Sequence, residues 1–274
     1  MTNPAREILL WVDGAHPPLE NMARDAALLA AAATDPECAP VLRLFRFAPH
    51  GITLGHGQRP ERELDLERCR RDGVPWAVRP TGGRAIFHAQ EWTYSFVTPL
   101  AHSEGHGSLH DLYARVSCRI VASLERLGVA ARLAPAESER AAPGAPRRGG
   151  AAEAGRAAAA CFASTARHEV VLGGRKLVGS AQRRTATAAL QQGSVLLGEG
   201  HLRLADYLAL PETARAEARA RLRAAATHAG DRLGAEAPLA RWAESLLAIL
   251  PAGTRRVDGP HPPVAIPPTT HASA

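Results

Sequence analysis

A single lysine is the first candidate for chemistry in this sequence. The 274-residue chain has 33 basic residues, and Lys176, in GGRKLVGSAQRR, is the only lysine among them. A solvated positive charge accepts arginine equally well, whereas a compact ammonium provides a point charge that a planar guanidinium does not. Such an ammonium can stabilise negative charge that develops on a carbonyl oxygen. Lys176 is therefore a candidate catalytic residue, with chance retention as the alternative.

A cysteine fifteen positions earlier, Cys161 in AACFAS, is the second candidate. A thiolate attacks thioesters and carries acyl groups, but an isolated cysteine is commonly a small buried hydrophobic residue, so both interpretations stand. The other cysteines, Cys38, Cys69 and Cys118, are far apart and form no CxxC pair or Cys/His cluster. This spacing argues against a zinc site, and we predict no metal.

The stretch RPTGGRAIFH places Gly82 and Gly83 between two strand patterns. Glycines allow close backbone approach to a ligand, and their N–H groups can hold an oxyanion, a carboxylate or a phosphate. A Gly-Gly pair is equally common in hairpin turns, and His88 alone would more often be structural. The motif alone does not separate a ligand loop from a simple turn.

Small residues also interrupt two later strand patterns. GSAQRR begins with Gly179 and Ser180, and LQQGSVLL contains Gly193 and Ser194, although glycine weakens a strand. Small residues at one level of two facing strands predict a narrow slot that accepts an acyl chain. Ser-His-Asp order, Walker A and GxGxxG sequences are absent, which argues against common hydrolases, NTPases and dinucleotide enzymes.

The surrounding patterns predict the elements that position these residues. A helix over PLENMARDAALLAAAA opens the fold, followed by strands VLRLFRF and ITLGHGQ and a helix over PERELDLERCRRDG. Strands VPWAVRP and AIFHAQEWTYSFVTPL precede the clearest helix, SLHDLYARVSCRIVASLERLG. HEVVLGG, RKLVGSAQ and ALQQGSVLLG are strands, the first two joined by a Gly-Gly hairpin. We expect an α+β fold, with mixed or antiparallel sheets flanked by helices.

Composition divides the rest of the chain. Residues 134–160 have few large apolar side chains and predict a mobile loop within a catalytic domain over residues 1–210. Residues 211–250 predict a helical C-terminal extension, and residues 251–274 a disordered tail. No apolar run is long enough to span a membrane and no signal peptide is recognisable, so we expect a cytoplasmic protein.

The net charge of +6 favours acidic partners. Arginines alternate with glutamates in ERELDLERCRRDG and ARAEARARLRAAA, as on solvated helix faces. No zinc-finger spacing or aromatic RNA-binding motif accompanies them, so we do not expect nucleic-acid binding.

Together these stretches resemble the lipoate–protein ligase and octanoyltransferase family, whose fold is shared with biotin–protein ligases. NMARDAALL, ITLGHGQ, VRPTGGRAIFHAQEWTYSF, CFASTARHEVVLGGRKLVGSAQRR and LQQGSVLL occur in the family's order and spacing. The resemblance implies acylation of a lysine on a lipoyl domain, with Cys161 as nucleophile and Lys176 on the acyl carbonyl. It places the acyl pocket at Arg79, Thr81, Gly82, Gly83, Arg84 and His88, and its slot at Gly179, Ser180 and Ala181. Gly193 and Ser194 are assigned to the same slot from their place on the facing strand.

The family has two mechanisms. Octanoyltransferases take the acyl group from octanoyl-acyl carrier protein onto a cysteine and need no cofactor, whereas ligases form an acyl-adenylate from ATP and Mg. The CF pair before GRKLVGSAQ favours the transferase branch, most similar to the cysteine-dependent octanoyltransferases. The implied acceptors are lipoyl domains of 2-oxoacid dehydrogenases or the glycine cleavage H protein, whose acidity suits a basic enzyme.

Two positions depart from the family pattern. Ala26 follows Asp25 where glutamate is frequent, and Gln192 stands where histidine is frequent. These departures support one alternative, a non-catalytic protein that binds lipoyl domains or acyl groups. A second alternative is an ATP-dependent lipoate ligase, or one half of a split one.

Overall fold

The structure is a computed structural model that describes residues 7–134 and 169–265. Its strands are β1 Leu9–His16, β2 Val41–Phe47, β3 Gly51–Leu54, β4 Trp76–Val78, β5 Ile86–His88, β6 Glu91–Pro99, β7 Arg132–Leu133, β8 Val170–Leu172, β9 Arg175–Arg184, β10 Ala188–Leu196 and β11 Arg255–Asp258. Its α-helices are α1 Pro18–Thr34, α2 Pro60–Glu63, α3 Leu66–Arg71, α4 Leu109–Arg126, α5 Leu204–Tyr207, α6 Glu212–Ala225, α7 Gly230–Leu233 and α8 Leu239–Leu247. None of these helices is both long enough and apolar enough to cross a bilayer.

A large mixed sheet organises the fold. Its strand order is β11-β1-β2-β6-β10-β9-β8-β7, with β1 parallel to both β11 and β2 and the remaining pairs antiparallel. A second sheet has the order β4-β3-β5, in which β3 is parallel to β4 and antiparallel to β5. The predicted α+β class with mixed sheets is confirmed.

Helices cover both faces of the large sheet, which explains why β6 and β10 are buried along their whole lengths. On one face, Leu28 of α1 packs with Trp11 of β1. On the other face, α4 and α8 pack on the sheet, and the Trp92 and Trp242 rings stack with centroids 5.2 Å apart. Burial of these aromatic rings accounts for much of the core, although aromatic residues are scarce in the sequence.

The chain changes sheets at Gln90, in a way that the sequence pattern does not indicate. AIFHAQEWTYSFVTPL forms β5 in the small sheet and β6 in the large one. Gln90 between them has a positive φ of 51°, and its carbonyl accepts a hydrogen bond from the Leu197 N–H. This bend brings His88, at the end of β5, beside Glu91, at the start of β6.

The two ends of the fold differ from the sequence prediction. The chain opens with β1, not with a helix, because α1 follows that strand. The predicted disordered tail is wrong for residues 255–258, where β11 adds to the edge of β1 and the Arg255 N–H donates to Ile8 O at 3.0 Å. Backbone pairing to a free edge needs no apolar pattern, so composition does not reveal it.

Residues 211–250 contain α6, α7 and α8, whose apolar side chains lie in the clusters that also contain the sheets. Leu222 of α6 packs with the small sheet, and Leu233 and Trp242 pack with β6 and α4. These helices complete the hydrophobic core. Of the predicted mobile loop over 134–160, only Ala134 falls within the described residues.

Candidate active site

A narrow cavity lies between the two sheets and α1. Its wall consists of Met22, Phe45, Phe47, Thr53, Arg79, Ile86, His88, Thr93, Gly179, Ser180, Ala181, Gln192, Gly193 and Ser194. The wall is mostly apolar or small. Seven residues predicted for the acyl site contribute to it: Arg79, His88, Gly179, Ser180, Ala181, Gly193 and Ser194.

The small residues of β9 and β10 leave room in this wall. Gly193 pairs with Ser180, and Ser194 pairs with Gly179, in adjacent antiparallel positions. A Cβ atom added to Gly193 would lie 2.4 Å from Tyr94 Cε1 and 2.7 Å from Ser180 Oγ. The Tyr94 and Ser180 hydroxyls are hydrogen-bonded at 2.9 Å, and burial raises the pKa of Tyr94. Small residues therefore lie side by side on the paired strands β9 and β10, as the sequence predicts.

The glycine-rich loop joins β4 to β5, which are not neighbours in the sheet, so it is not a hairpin turn. It folds around the buried Arg79 guanidinium, which donates to Gly82 O at 2.8 Å and to Arg84 O at 2.8 Å. Gly83 has a φ of +92°, a backbone conformation that favours glycine. Arg79 reaches the cavity, while Gly82, Gly83, Arg84 and Thr81 lie outside its wall.

His88 is fixed on three sides. Its Nδ1 lies 2.6 Å from Glu91 Oε1, its Nε2 lies 2.7 Å from Thr53 Oγ1, and its ring stacks on Phe47. Glu91 Oε1 also accepts from the hydroxyls of Thr93 at 2.8 Å and Ser194 at 3.0 Å. These contacts orient the imidazole at the cavity wall.

Glu91 was not identified from the sequence. The signal was available, because EWTYSF places an acidic residue at the start of a strand that is buried throughout. A buried carboxylate requires donors, and here Thr93, Ser194 and His88 supply them. Its second oxygen, Oε2, has no hydrogen-bond partner among the described residues.

A buried ionic network lies under α1, next to the cavity. Arg43 donates to Asp25 Oδ1 at 2.7 Å, to Asp13 Oδ2 at 2.7 Å and to Asn21 Oδ1 at 2.6 Å. Ser95 also donates to Asp25 at 2.7 Å. Two carboxylates buried on one guanidinium require this degree of hydrogen bonding, which makes the position of α1 on the sheet specific.

Gln192 connects this network to the glycine-rich loop. Its Nε2 donates to Asp25 Oδ2, and its Oε1 accepts from Thr81 Oγ1 at 2.8 Å. All three side chains are buried. The residue that departs from the family pattern thus has a defined pair of partners. Gln192 connects Thr81, which lies outside the cavity wall, to that wall.

Lys176 is buried and does not contribute to the cavity wall. Its Nζ lies 2.5 Å from Glu169 Oε1, and the two side chains form a buried ion pair. Lys176 lies on β9, three positions before Gly179. Burial with a carboxylate gives a second reason for a lysine here. Cys161 lies outside the described residues, so the catalytic roles predicted for both residues stay predictions.

The three described cysteines do not contribute to the cavity wall. Burial raises the pKa of the Cys69 thiol to about 11, so it is protonated at neutral pH and a poor nucleophile. Burial also raises the pKa of Cys38, and Cys118 is exposed on α4. Within residues 7–134 and 169–265, no three His, Cys, Asp or Glu side chains gather as a metal site.

The sequence is similar to those of several known proteins. The chain is 37% identical over 194 residues to an octanoyltransferase LipM from Moorella thermoacetica, covering 71% of this chain and 66% of that protein. A protein of the same name from Symbiobacterium thermophilum is 36% identical over 233 residues, covering 85% and 80%. A third, from Kyrpidia tusciae, is 39% identical over 178 residues, covering 65% and 61%. The match thus spans just under two thirds of the Moorella and Kyrpidia proteins.

Solved structures show the same fold. A bi-partite lipoate protein ligase from Thermoplasma acidophilum, described together with its E2 lipoyl domain, superposes with a TM-score of 0.65 at 20% identity, covering 89% of this chain and 82% of that one. The Lipoyl protein ligase A/B catalytic domain model matches residues 17–250, which include every described residue of the cavity wall. The chain therefore belongs to the lipoyl protein ligase A/B catalytic domain family.

Proposed function

We propose that this protein transfers an octanoyl group to the lysine of a lipoyl domain, as an acyltransferase of protein lipoylation. The observation that carries the proposal is the cavity whose wall is opened by Gly193 and Ser180 on paired strands. Relatives named octanoyltransferase, 36–39% identical, support the same acyl group. The proposed acceptors are lipoyl domains of 2-oxoacid dehydrogenases or the glycine cleavage H protein.

The proposed donor is octanoyl-acyl carrier protein, and the reaction needs no cofactor. The Cys161 thiolate attacks the carbonyl carbon of the donor thioester, and the bond from that carbon to the carrier sulfur breaks. The carrier leaves as a thiolate and the octanoyl group remains on Cys161. The uncharged amine of the acceptor lysine then attacks, its proton passes to solvent or a base, and the Cys161 thiolate is released.

Lys176 is the proposed stabiliser of the oxyanion in both steps. An ammonium carries three donors, so the pairing with Glu169 is compatible with a second acceptor on the same nitrogen. Glu169 would orient the ammonium, and its position immediately after residues 135–168 keeps it close in sequence to Cys161. The chain is proposed to act in the cytoplasm, where thiols stay reduced.

The test is the intact mass of the protein after incubation with octanoyl-acyl carrier protein. We expect one octanoyl adduct, released by hydroxylamine as a thioester is, that is absent from Cys161→Ala. Cys118→Ala is the matched control, because it removes an exposed thiol on α4 and should keep the adduct. Absence of the adduct, with octanoyl- or lipoyl-adenylate formed from ATP and Mg, would favour a ligase instead.

A further inference from the structure

We propose that Gln192 is a positioning residue for acyl transfer, which holds the glycine-rich loop in place through Thr81. This inference rests on the proposed function. It starts from a side-chain amide that contacts both the loop and the buried network under α1. Gln192 also forms part of the cavity wall, so a change in its orientation alters the space available to the acyl group.

The surroundings determine which way the amide points. Asp25 accepts hydrogen bonds from Arg43 at 2.7 Å and from Ser95 at 2.7 Å, so it presents acceptor oxygens to Gln192. The amide nitrogen must therefore face Asp25, which leaves the amide oxygen facing Thr81. Thr81 has to donate its hydroxyl proton to that oxygen. The direction of each bond is imposed by the buried charges of Asp25 and Arg43.

The connection adds a side-chain restraint to a loop that is otherwise held through its backbone carbonyls. The carbonyl of Thr81 accepts from His56 N at 2.9 Å, and the carbonyl of Pro80 accepts from Arg183 at 3.0 Å. These bonds hold the backbone, whereas Gln192 fixes the buried Thr81 side chain. Loss of the connection would free the segment whose Gly83 lies next to Ala181 of the cavity wall.

The proposal limits which residues can replace Gln192. The position needs a donor towards Asp25 and an acceptor towards Thr81. A neutral histidine has one of each, whereas methionine lacks the donor and an ionised glutamate lacks the donor and repels Asp25. Gln192→His should therefore work, and Gln192→Met should not, although methionine is closer in shape.

The experiment measures the rate of octanoyl loading on Cys161 and the hydrogen exchange of the His56 amide, which reports on the loop because it donates to Thr81 O. For Gln192→Met we expect this loop exchange to quicken about tenfold. We expect kcat/KM for loading to fall about tenfold, because a buried hydroxyl loses its acceptor. Thr81→Val should cause the same loss, and the double variant should lose no more than either single one. Gln192→His should stay within about threefold of the unaltered protein.

Ser245→Ala is the matched control. It removes a buried hydrogen bond of 2.7 Å to Ser123 O between α8 and α4, on the opposite face of the large sheet. It should leave loading and loop exchange unchanged.

The outcomes separate this inference from the proposed function. Unchanged loop exchange in Gln192→Met, or strictly additive losses in the double variant, would overturn the positioning role. If Gln192→Met does not fold, Thr81→Val and Gln192→His decide the matter by the same two measurements. If the unaltered protein accepts no octanoyl group, the proposed function fails, and the exchange data alone still test the connection.

Discussion

At the scale of single residues, the cavity depends on the absence of a Cβ atom at Gly193. Alanine at this position would place a Cβ 2.4 Å from the Tyr94 ring, which is buried against Trp242 and cannot withdraw easily. The same carbon would lie 2.7 Å from Ser180 Oγ, inside the proposed slot. Glycine weakens a strand, so its presence in β10 indicates that space matters more than local stability.

We therefore predict that Gly193→Ala slows octanoyl loading about tenfold and lowers the free energy of unfolding by about 1–3 kcal/mol, as overpacking does. A butanoyl donor should be affected less, because a shorter chain needs less of the slot. Gly57→Ala is the control, since a Cβ there meets nothing within 4 Å. Equal losses for both acyl lengths would show that the glycine serves the fold alone.

Variants of Lys176 test whether its buried ion pair with Glu169 stabilises the fold or takes part in acyl transfer. Lys176→Met removes one partner of a buried ion pair, and should lower stability by about 3–5 kcal/mol. Lys176→Met combined with Glu169→Leu replaces the whole pair by apolar side chains and should recover most of that stability. Loading should stay reduced by at least about 100-fold in the double variant, as for loss of an oxyanion donor.

Thermal unfolding and the loading rate, measured on the same samples, separate the two roles. Recovery of loading together with stability in the double variant would assign Lys176 a structural role only. Lys176→Arg adds a second comparison, since it keeps the positive charge but replaces the compact ammonium by a planar guanidinium.

At the scale of elements, local signals predicted most of the framework. The β8–β9 hairpin follows from Gly173 and Gly174, which both have positive φ and form its turn. The helix predicted over PERELDLERCRRDG is divided into α2 and α3, because the buried Leu64 is extended and pairs with Leu208. That partner lies more than a hundred positions away, so a local pattern cannot show it.

The site was predictable to a similar extent. The small residues of β9 and β10 are visible as exceptions within strand patterns, and the structure places them on paired strands. Glu91 and the partners of Gln192 depend on the change of sheet at Gln90 and on the position of α1. Tertiary contacts of this kind have no periodicity in the sequence.

The pairing of strand β11 with β1 can be tested by removing one of its backbone hydrogen bonds. Arg255→Pro removes the N–H that donates to Ile8 O and should lower stability by about 1–3 kcal/mol. Arg255→Ala keeps the N–H and removes only an exposed side chain that pairs with Glu7, so it should change stability by less than about 1 kcal/mol. Identical unfolding temperatures for the two variants would contradict pairing of β11 with β1.

For the whole molecule, a buried histidine sets a limit on acid stability. Burial lowers the pKa of His201 from 6.5 to about 4. Below pH 6.5, His201 of the unfolded chain binds a proton that the buried His201 of the folded protein does not. The free energy of unfolding therefore falls as the pH drops from about 6.5 to about 4. The loss attributable to this residue approaches about 3 kcal/mol at the lower end.

Chemical unfolding of His201→Gln and of the unaltered protein at pH 7 and pH 4.5 checks this expectation. Glutamine carries no titratable group, so the difference between the two pH values should be smaller in the variant. An equal pH dependence in both proteins would mean that other groups dominate acid unfolding.

The whole molecule also carries a net positive charge, in a fold that it shares with lipoate protein ligases. The net charge of +6 suits acidic carriers and acceptor domains, but it does not decide the chemistry. The central claim is that the acyl group passes through a thioester on this chain and then reaches a lysine without nucleotide.

The most direct measurement is a single turnover with the loaded protein. The protein is octanoylated, separated from its donor, and mixed with a lipoyl domain that carries an unmodified lysine, with no ATP present. We expect the octanoyl mass to disappear from this chain as it appears on the acceptor, at equal rates and in equal amounts. An adduct that stays on this chain, or an acceptor modified only when ATP is added, would contradict the account.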